Sequence, residues 1–194
     1  RGLAGNTGEI LKGMGCKNTL LVTDKILVEL GVLKPVLESF EAAGIAHTLC
    51  DAVTIEPTVN LFDSIVEKLD LNAFDSVVAV GGGSVIDVAK GLAVIAKFGG
   101  HIRDYGGLDK VTARPDWKII AIPTTSGTGS EISNGAVFID EEIQSKFPVI
   151  SFNVCPTLAL TDPAMTQSMP PKVTANSGID ALVHAIESYV SKNA

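Results

Sequence analysis

Apolar residues in this chain follow two alternating periods. Short, nearly unbroken apolar runs at 19–23, 45–50, 77–80, 118–122 and 157–161 have the length and β-branched character of buried strands. Between them the apolar positions recur at helical spacing. A helical stretch runs from the end of the first strand to Ala43, restarted by Pro35 and stopped by Gly44. A second spans 58–69, with Leu61, Ile65 and Leu69 along one side, and a third opens at Ser84 and carries Val85, Val88, Ala89, Leu92, Ile95 and Ala96. Residues 97–116 hold Gly99, Gly100, Gly106, Gly107 and Pro115 and read as a long loop, while 136–139 and 147–151 flank a charged segment as a hairpin. Strands alternating with long helices predict an α/β fold, a mainly parallel sheet with helices on both faces. In such folds ligands sit beyond the carboxyl ends of the strands.

After Met169-Pro170-Pro171 the character changes. The pattern over 173–190 is a single long helix, with Ile179, Leu182, Val183, Ile186 and Val190 on its apolar side. The pattern thus divides the chain into an alternating α/β stretch over 1–170 and a different, helical stretch over 171–194.

Composition narrows the functional classes. The chain has 194 residues, 46% hydrophobic and 19% charged, enough to bury a full core. A net charge of −7 with no Lys/Arg run argues against nucleic acid and anionic membranes as partners. No segment approaches the roughly 18 unbroken apolar residues of a membrane span. Cys16, Cys50 and Cys155 are widely spaced, which fits free thiols in a reducing cytoplasm. No signal peptide is visible, and a chain that starts at Arg1 and stops just after a helix is expected to be a piece of a longer one.

Three strand ends carry candidate chemistry. At 77–90, VVAVGGGSVIDVAK, a strand breaks into Gly81, Gly82 and Gly83, and Ser84 opens a helix. Glycines admit an anion close to the backbone, and the unpaired N–H groups of a helix N-terminus favour it, so this is a phosphate cradle. The plainer alternative is a tight strand-to-helix turn, with Ser84 and Asp87 spaced as a capping box. Asp24, directly after the first strand, suits the ribose hydroxyls of a dinucleotide and opposes a 2′-phosphate, which favours NAD over NADP; plain N-capping explains it as well. The stretch PTTSGTGSE at 123–131 is a donor-rich loop, either for phosphate or an amide-bearing ring or as a hydrogen-bonded connection.

On the polar side of the last helix Asp180 and His184 stand four residues apart, on successive turns. Mixed oxygen and nitrogen donors suit Fe²⁺, Zn²⁺ or Mn²⁺, and a side-chain pair on a wet helix face is the other account. His47 and His101 lie in the first part of the chain without ligand-like spacing.

Taken together, GGGSVIDVAK, PTTSGTGSE and MPPKVTANSGIDALVHAIESYVS, in this order, resemble the metal-dependent alcohol dehydrogenases, often called iron-containing alcohol dehydrogenases. The resemblance implies a Rossmann-like dinucleotide-binding α/β domain over 1–170 and, over 171–194, the start of an all-helical metal domain, with the active site between the two. It assigns Gly81, Gly82, Gly83 and Ser84 to the pyrophosphate and Asp24 to the adenosine ribose. Thr124, Thr125 and Thr128 line the phosphate and nicotinamide side, and Val137 and Lys146 are further cofactor contacts. Asp180 and His184 match the first two metal ligands, and the family's other two, histidines, lie beyond Ala194. Some relatives carry a cofactor-contacting asparagine where Glu56 precedes Pro57, so that contact is not carried over. The implied activity is hydride transfer between a metal-bound primary alcohol or aldehyde and NAD, with Fe²⁺, or alternatively Zn²⁺, as the metal. By the same resemblance the full-length protein is expected to be a homo-oligomer and the 194-residue piece inactive by itself. Alternatives are another branch of the superfamily, of glycerol dehydrogenase or dehydroquinate synthase type, or a nucleotide-binding module without redox chemistry.

Overall fold

The computed structural model describes residues 1–192. Its strands are β1 (Asn18–Val22), β2 (Ala46–Cys50), β3 (Ser76–Gly81), β4 (Gly107–Leu108), β5 (Lys118–Pro123), β6 (Gly135–Asp140), β7 (Ser145–Ile150) and β8 (Leu158–Ala159). The helices are α1 (Thr7–Gly13), α2 (Lys25–Glu29), α3 (Lys34–Ala43), α4 (Val59–Val66), α5 (Gly83–Phe98) and α6 (Pro171–Val190).

The main sheet has the order β2-β1-β3-β5-β8, and every pairing in it is parallel. One row of partners runs Leu49, Leu21, Val78, Ile120, Leu158 across all five strands. Alternate residues feed opposite faces, as the pleat requires. Leu20, Val22, Val77, Ala79, Ile119 and Ala121 pack with Phe62 of α4 and Leu92 of α5. Leu21, Val78, Val80, Ile120 and Ile122 pack with Leu11 of α1 and Val36 and Phe40 of α3. All six residues of β3 are buried, which is why the strands read as continuous apolar runs. The predicted parallel sheet with helices on both faces is what the structure shows. Chain order reverses between β1 and β3, and that switch point is where doubly wound sheets open a crevice at their carboxyl ends.

A second sheet, β4-β7-β6, pairs β6 with β7 antiparallel, as the hairpin pattern predicts, and adds β4 parallel to β7. It lies on the far side of α5 from β3. Gly91 makes that possible, since a Cβ there would stand 2.8 Å from the Phe62 ring and 2.9 Å from Phe138. Those two rings meet edge to face over the helix, with centroids 5.1 Å apart. Helix α5 is consequently buried from Val85 to Ile95 except at Asp87.

Two expectations need correction. The stretch 97–116 is more than a loop: it holds a 3-10 turn at Ile102–Tyr105 and the short strand β4. Arg103 of that turn grips Asp140 through two bonds, 2.9 and 3.1 Å, and two residues of strand are too few to show a period. Helix α1 escaped the periodic reading because Gly8 holds its closest crossing. A Cβ at Gly8 would stand 2.0 Å from the Ser39 carbonyl oxygen of α3. Helix α6 ends at the predicted residue 190 but starts at Pro171, two residues earlier than the pattern indicates, and buries none of its residues. No helix among the described residues is long and apolar enough to cross a membrane.

Candidate functional site

The glycine turn joins β3 to α5 at the switch point. The N-cap of α5 is Gly82, in extended backbone at φ −77°, so none of the three glycines is there for a left-handed conformation. Closeness is the reason instead. A Cβ on Gly82 would lie 3.3 Å from the Thr125 hydroxyl, and one on Gly83 would meet the Thr128 side chain at 3.2–3.3 Å. On Gly81 it would run into Val85 at 2.5 Å, where the first turn of α5 seats on the strand. The 123–131 loop therefore leans directly on the cradle. Thr124 is buried, its N–H donating to the Gly81 carbonyl at 3.0 Å. The buried Thr125 hydroxyl has no hydrogen-bond partner, one of two such side-chain oxygens among the described residues. A free hydroxyl against a glycine cradle at a helix N-terminus fits an anionic group such as a pyrophosphate.

The capping box expected of Ser84 and Asp87 does not form. Ser84 lies inside the helix, and its hydroxyl accepts the Glu56 N–H at 3.3 Å. Glu56 itself is held at φ +61°, an uncommon conformation for a residue other than glycine. Asp87 instead reaches across to the loop and to β6: it accepts the Ser130 hydroxyl at 2.5 Å and the Val137 N–H at 3.0 Å. One turn on, the fully buried Lys90 donates to the Gly135 carbonyl (2.7 Å), the Ser133 carbonyl and hydroxyl (3.1 Å each) and Ser130 (3.2 Å). Its ammonium stands 3.8 Å from Asp87. Burial pushes the Asp87 carboxyl above its ordinary range, against the pull of Ser130, Lys90 and the Val137 N–H. Burial likewise pulls the Lys90 ammonium down, with Asp87 foremost among the groups holding it up. The sequence pattern gave no sign of this network.

Beyond the cradle lies an open cleft of about 500 Å³. Gly83, Ser84, Thr128, Val137, Lys146 and Asp180 all line it, together with Glu56, Asp87, Ser130 and Ser133. Residues expected from five separate segments thus face one space. Gly81, Gly82, Thr124 and Thr125 form the turn and the buried side of the loop rather than the cleft wall. Asp24 stands at the end of β1, on the other side of the switch point. One of its carboxylate oxygens caps α2 by accepting the Leu27 N–H at 2.9 Å, so the capping reading holds and the second oxygen is left for another partner.

Helix α6 reaches the cleft through the loop. A Cβ on Gly127 would stand 2.1 Å from the Ser177 carbonyl oxygen, so loop and helix touch at backbone distance. One turn further, Asp180 Oδ1 and His184 Nε2 are 3.8 Å apart, both partly exposed. Two ligands bound at about 2.1 Å to a tetrahedral ion are about 3.4 Å apart, so the pair is somewhat wider than a coordination edge, at a separation that an ion pair one helical turn apart also has. No group of three or more potential ligands exists among the described residues. His47 packs on Phe40 at 5.4 Å between ring centroids, which places it in the α3 layer.

Comparison with known proteins agrees with this architecture. The sequence model described as "Iron-containing alcohol dehydrogenase" matches residues 1–163. Alcohol dehydrogenase 4 of Schizosaccharomyces pombe is 39% identical over 98% of the chain, and the mitochondrial hydroxyacid-oxoacid transhydrogenase of Xenopus laevis is 42% identical over 95% of it. The chain spans 45% and 41% of those two proteins. Among solved structures, a 1,3-propanediol oxidoreductase superposes with a TM-score of 0.92 at 34% identity, covering 98% of this chain and 50% of its own. The sulfoacetaldehyde reductase of Bifidobacterium kashiwanohense, solved in complex with NAD⁺, gives 0.87 at 35% identity, covering 99% and 50%.

Proposed function

The chain belongs to the iron-containing alcohol dehydrogenase family, and from that premise we propose that it forms the dinucleotide-binding part of an NAD-dependent oxidoreductase acting on a primary alcohol or aldehyde. One observation carries the proposal: the glycine cradle, the threonine loop, the β6–β7 hairpin and Asp180 open onto a single cleft. Gly82, Gly83 and Ser84 receive the pyrophosphate, with the Thr125 hydroxyl and the N-terminus of α5 as donors. Asp24, across the switch point, takes the ribose hydroxyls with the oxygen its cap leaves free. Thr128, Val137 and Lys146 line the nicotinamide side. Asp180 and His184 are ligands to one divalent ion, iron or alternatively zinc, and residues 171–194 open the helical domain that supplies it. When bound, the ion lends Lewis acidity to the alcohol oxygen and NAD⁺ provides the hydride acceptor. The residues of this chain would bind and orient: the cradle would hold the phosphates, and Val137 and Lys146 of the hairpin would border the nicotinamide side.

Two metal donors do not complete a site, so the 194-residue chain binds NAD without turning over. Calorimetric titration of the chain with NAD, alongside nicotinamide absorbance in the presence of Fe²⁺ and a primary alcohol, tests this. Saturable NAD binding with no alcohol-dependent absorbance is expected; absence of binding overturns the assignment. The complete protein should oxidise alcohol in a metal-dependent way, and nucleotide binding without that would make it a sensor module. We place it in the cytoplasm as a homo-oligomer, on its free thiols and the family resemblance. Organelle fractionation and sedimentation decide both points, with a mitochondrial location, stated in the names of several relatives, as the opposing outcome.

A further inference from the structure

Lys90 does not line the cleft, yet the walls of the cleft depend on it. Its side chain is fully buried in α5, among Val88, Ala89, Leu92 and Ala93 of the same helix, with the Asp87 carboxylate one turn back at 3.8 Å. An apolar residue would fill such a helix position without desolvating a charge. What an ammonium supplies instead is three donors converging from one point. Here they converge on 130–135, the segment that links the threonine loop to β6. The same Ser130 hydroxyl that accepts from Lys90 donates to Asp87, and Asp87 holds the Val137 N–H. Cation, hydroxyl, carboxylate and amide thus form one chain of hydrogen bonds from the cradle helix to the opposite wall.

Building on the dinucleotide reading above, we infer that Lys90 is a positioning residue: through the Ser133 and Gly135 carbonyls and the Ser130–Asp87–Val137 relay it fixes the nicotinamide-side wall relative to the phosphate cradle. The cradle itself is anchored separately, by the seating of Gly81 on Val85 and by the Thr124 N–H donating to the Gly81 carbonyl at 3.0 Å. Loss of the ammonium therefore loosens one half of the cleft and spares the other.

Two ligands separate the halves. NAD uses both; ADP-ribose lacks the nicotinamide and uses the cradle and the ribose site. In Lys90→Met, the NAD dissociation constant should rise about tenfold while that of ADP-ribose stays within about twofold, both read by calorimetry on the 194-residue chain. Where Lys90→Met leaves Asp87 too costly to bury, the comparison of Asp87→Asn with Asp87→Asn/Lys90→Met carries the same test, because neither holds a lone buried carboxylate. Equal losses for both ligands, or no loss for either, would make Lys90 a plain core bolt and overturn the inference. So would failure of every Lys90 variant to fold, which would make it a folding determinant. A parent chain that binds neither ligand would instead defeat the dinucleotide reading, and this inference with it.

Discussion

Gly127→Ala puts the seating of α6 to a quantitative test. The added Cβ would stand 2.1 Å from the Ser177 carbonyl oxygen and 2.7 Å from its carbon. Moving from 2.1 Å to an ordinary 3.4 Å contact requires an opening of about 1.3 Å. Backbone meets backbone there, so no side-chain rotation relieves it and either the loop or the helix must give way. The loop is tied through Ser130 to Asp87 and Lys90, whereas α6 buries none of its residues. The helix moves. Since no core contact is lost, the cost is about 1 kcal/mol at most, a fall in unfolding midpoint of about 2–4 °C for a chain this size. Hydrogen exchange read by mass spectrometry should show faster exchange over 171–190 and none over 77–95. On the proposed metal role, a misplacement of about 1 Å at Asp180 and His184 in the complete protein should lower turnover about a hundredfold while leaving NAD affinity unchanged. Lost protection in the β3–α5 peptides would show that α6 is integral to the core, and unchanged exchange in α6 would show that Gly127 is not its seat; either result refutes the reasoning.

Gly83→Ala meets only the rotatable Thr128 side chain, at 3.2–3.3 Å, so stability should change by less than about 1 kcal/mol while NAD affinity falls at least about tenfold. Unchanged affinity in a calorimetric titration would remove Gly83 from the anion site. Asp24→Ala loses the cap on Leu27, about 1 kcal/mol by denaturant unfolding, and should narrow the preference for NAD over NADP; an unaltered preference would leave Asp24 as a cap alone. Burial opposes ionisation of Asp162, but the N–H groups of Ala4, Ala164 and Gly2 outweigh it and hold the carboxyl below its usual 3.8. Its stabilisation is thus complete above that pH and fades as pH falls through the lower folded-state value. The stability gap between parent and Asp162→Asn should accordingly be constant at neutral pH and close under acid, and a gap that widens in acid would contradict the sign.

Buried parallel strands announce themselves because both faces are covered, so β1, β3 and β5 were legible as apolar runs and fixed the sheet, while β2, exposed everywhere but at Cys50, is its edge. The cradle was legible for a chemical reason, three glycines at a strand-to-helix junction. The Asp180–His184 pairing was legible as a helical repeat, though the repeat alone favours a side-chain pair on a wet face over metal ligation. Val137 and Lys146 came from resemblance, since nothing local marks them. What stayed hidden was tertiary. Ser84-x-x-Asp87 has capping-box spacing, but Asp87 found Ser130, 43 residues on, and that choice is written in the packing of the loop. A buried Lys90 amid Val88, Ala89, Leu92 and Ala93 had no local explanation, because its acceptors are supplied from 130–135. Strand β4 escaped for want of length.

Enclosure of α5 between two sheets makes the cradle an immobile reference point. A helix gripped on both flanks, with aromatic rings crossing over Gly91, has no hinge, so the amplitude of any open-to-shut cycle must be borne by the hairpin layer or by α6. A spectroscopic label at the exposed hairpin-tip residue Ile143, paired with one on α6, would report that cycle. The same pair spanning β3 and α5 should stay silent.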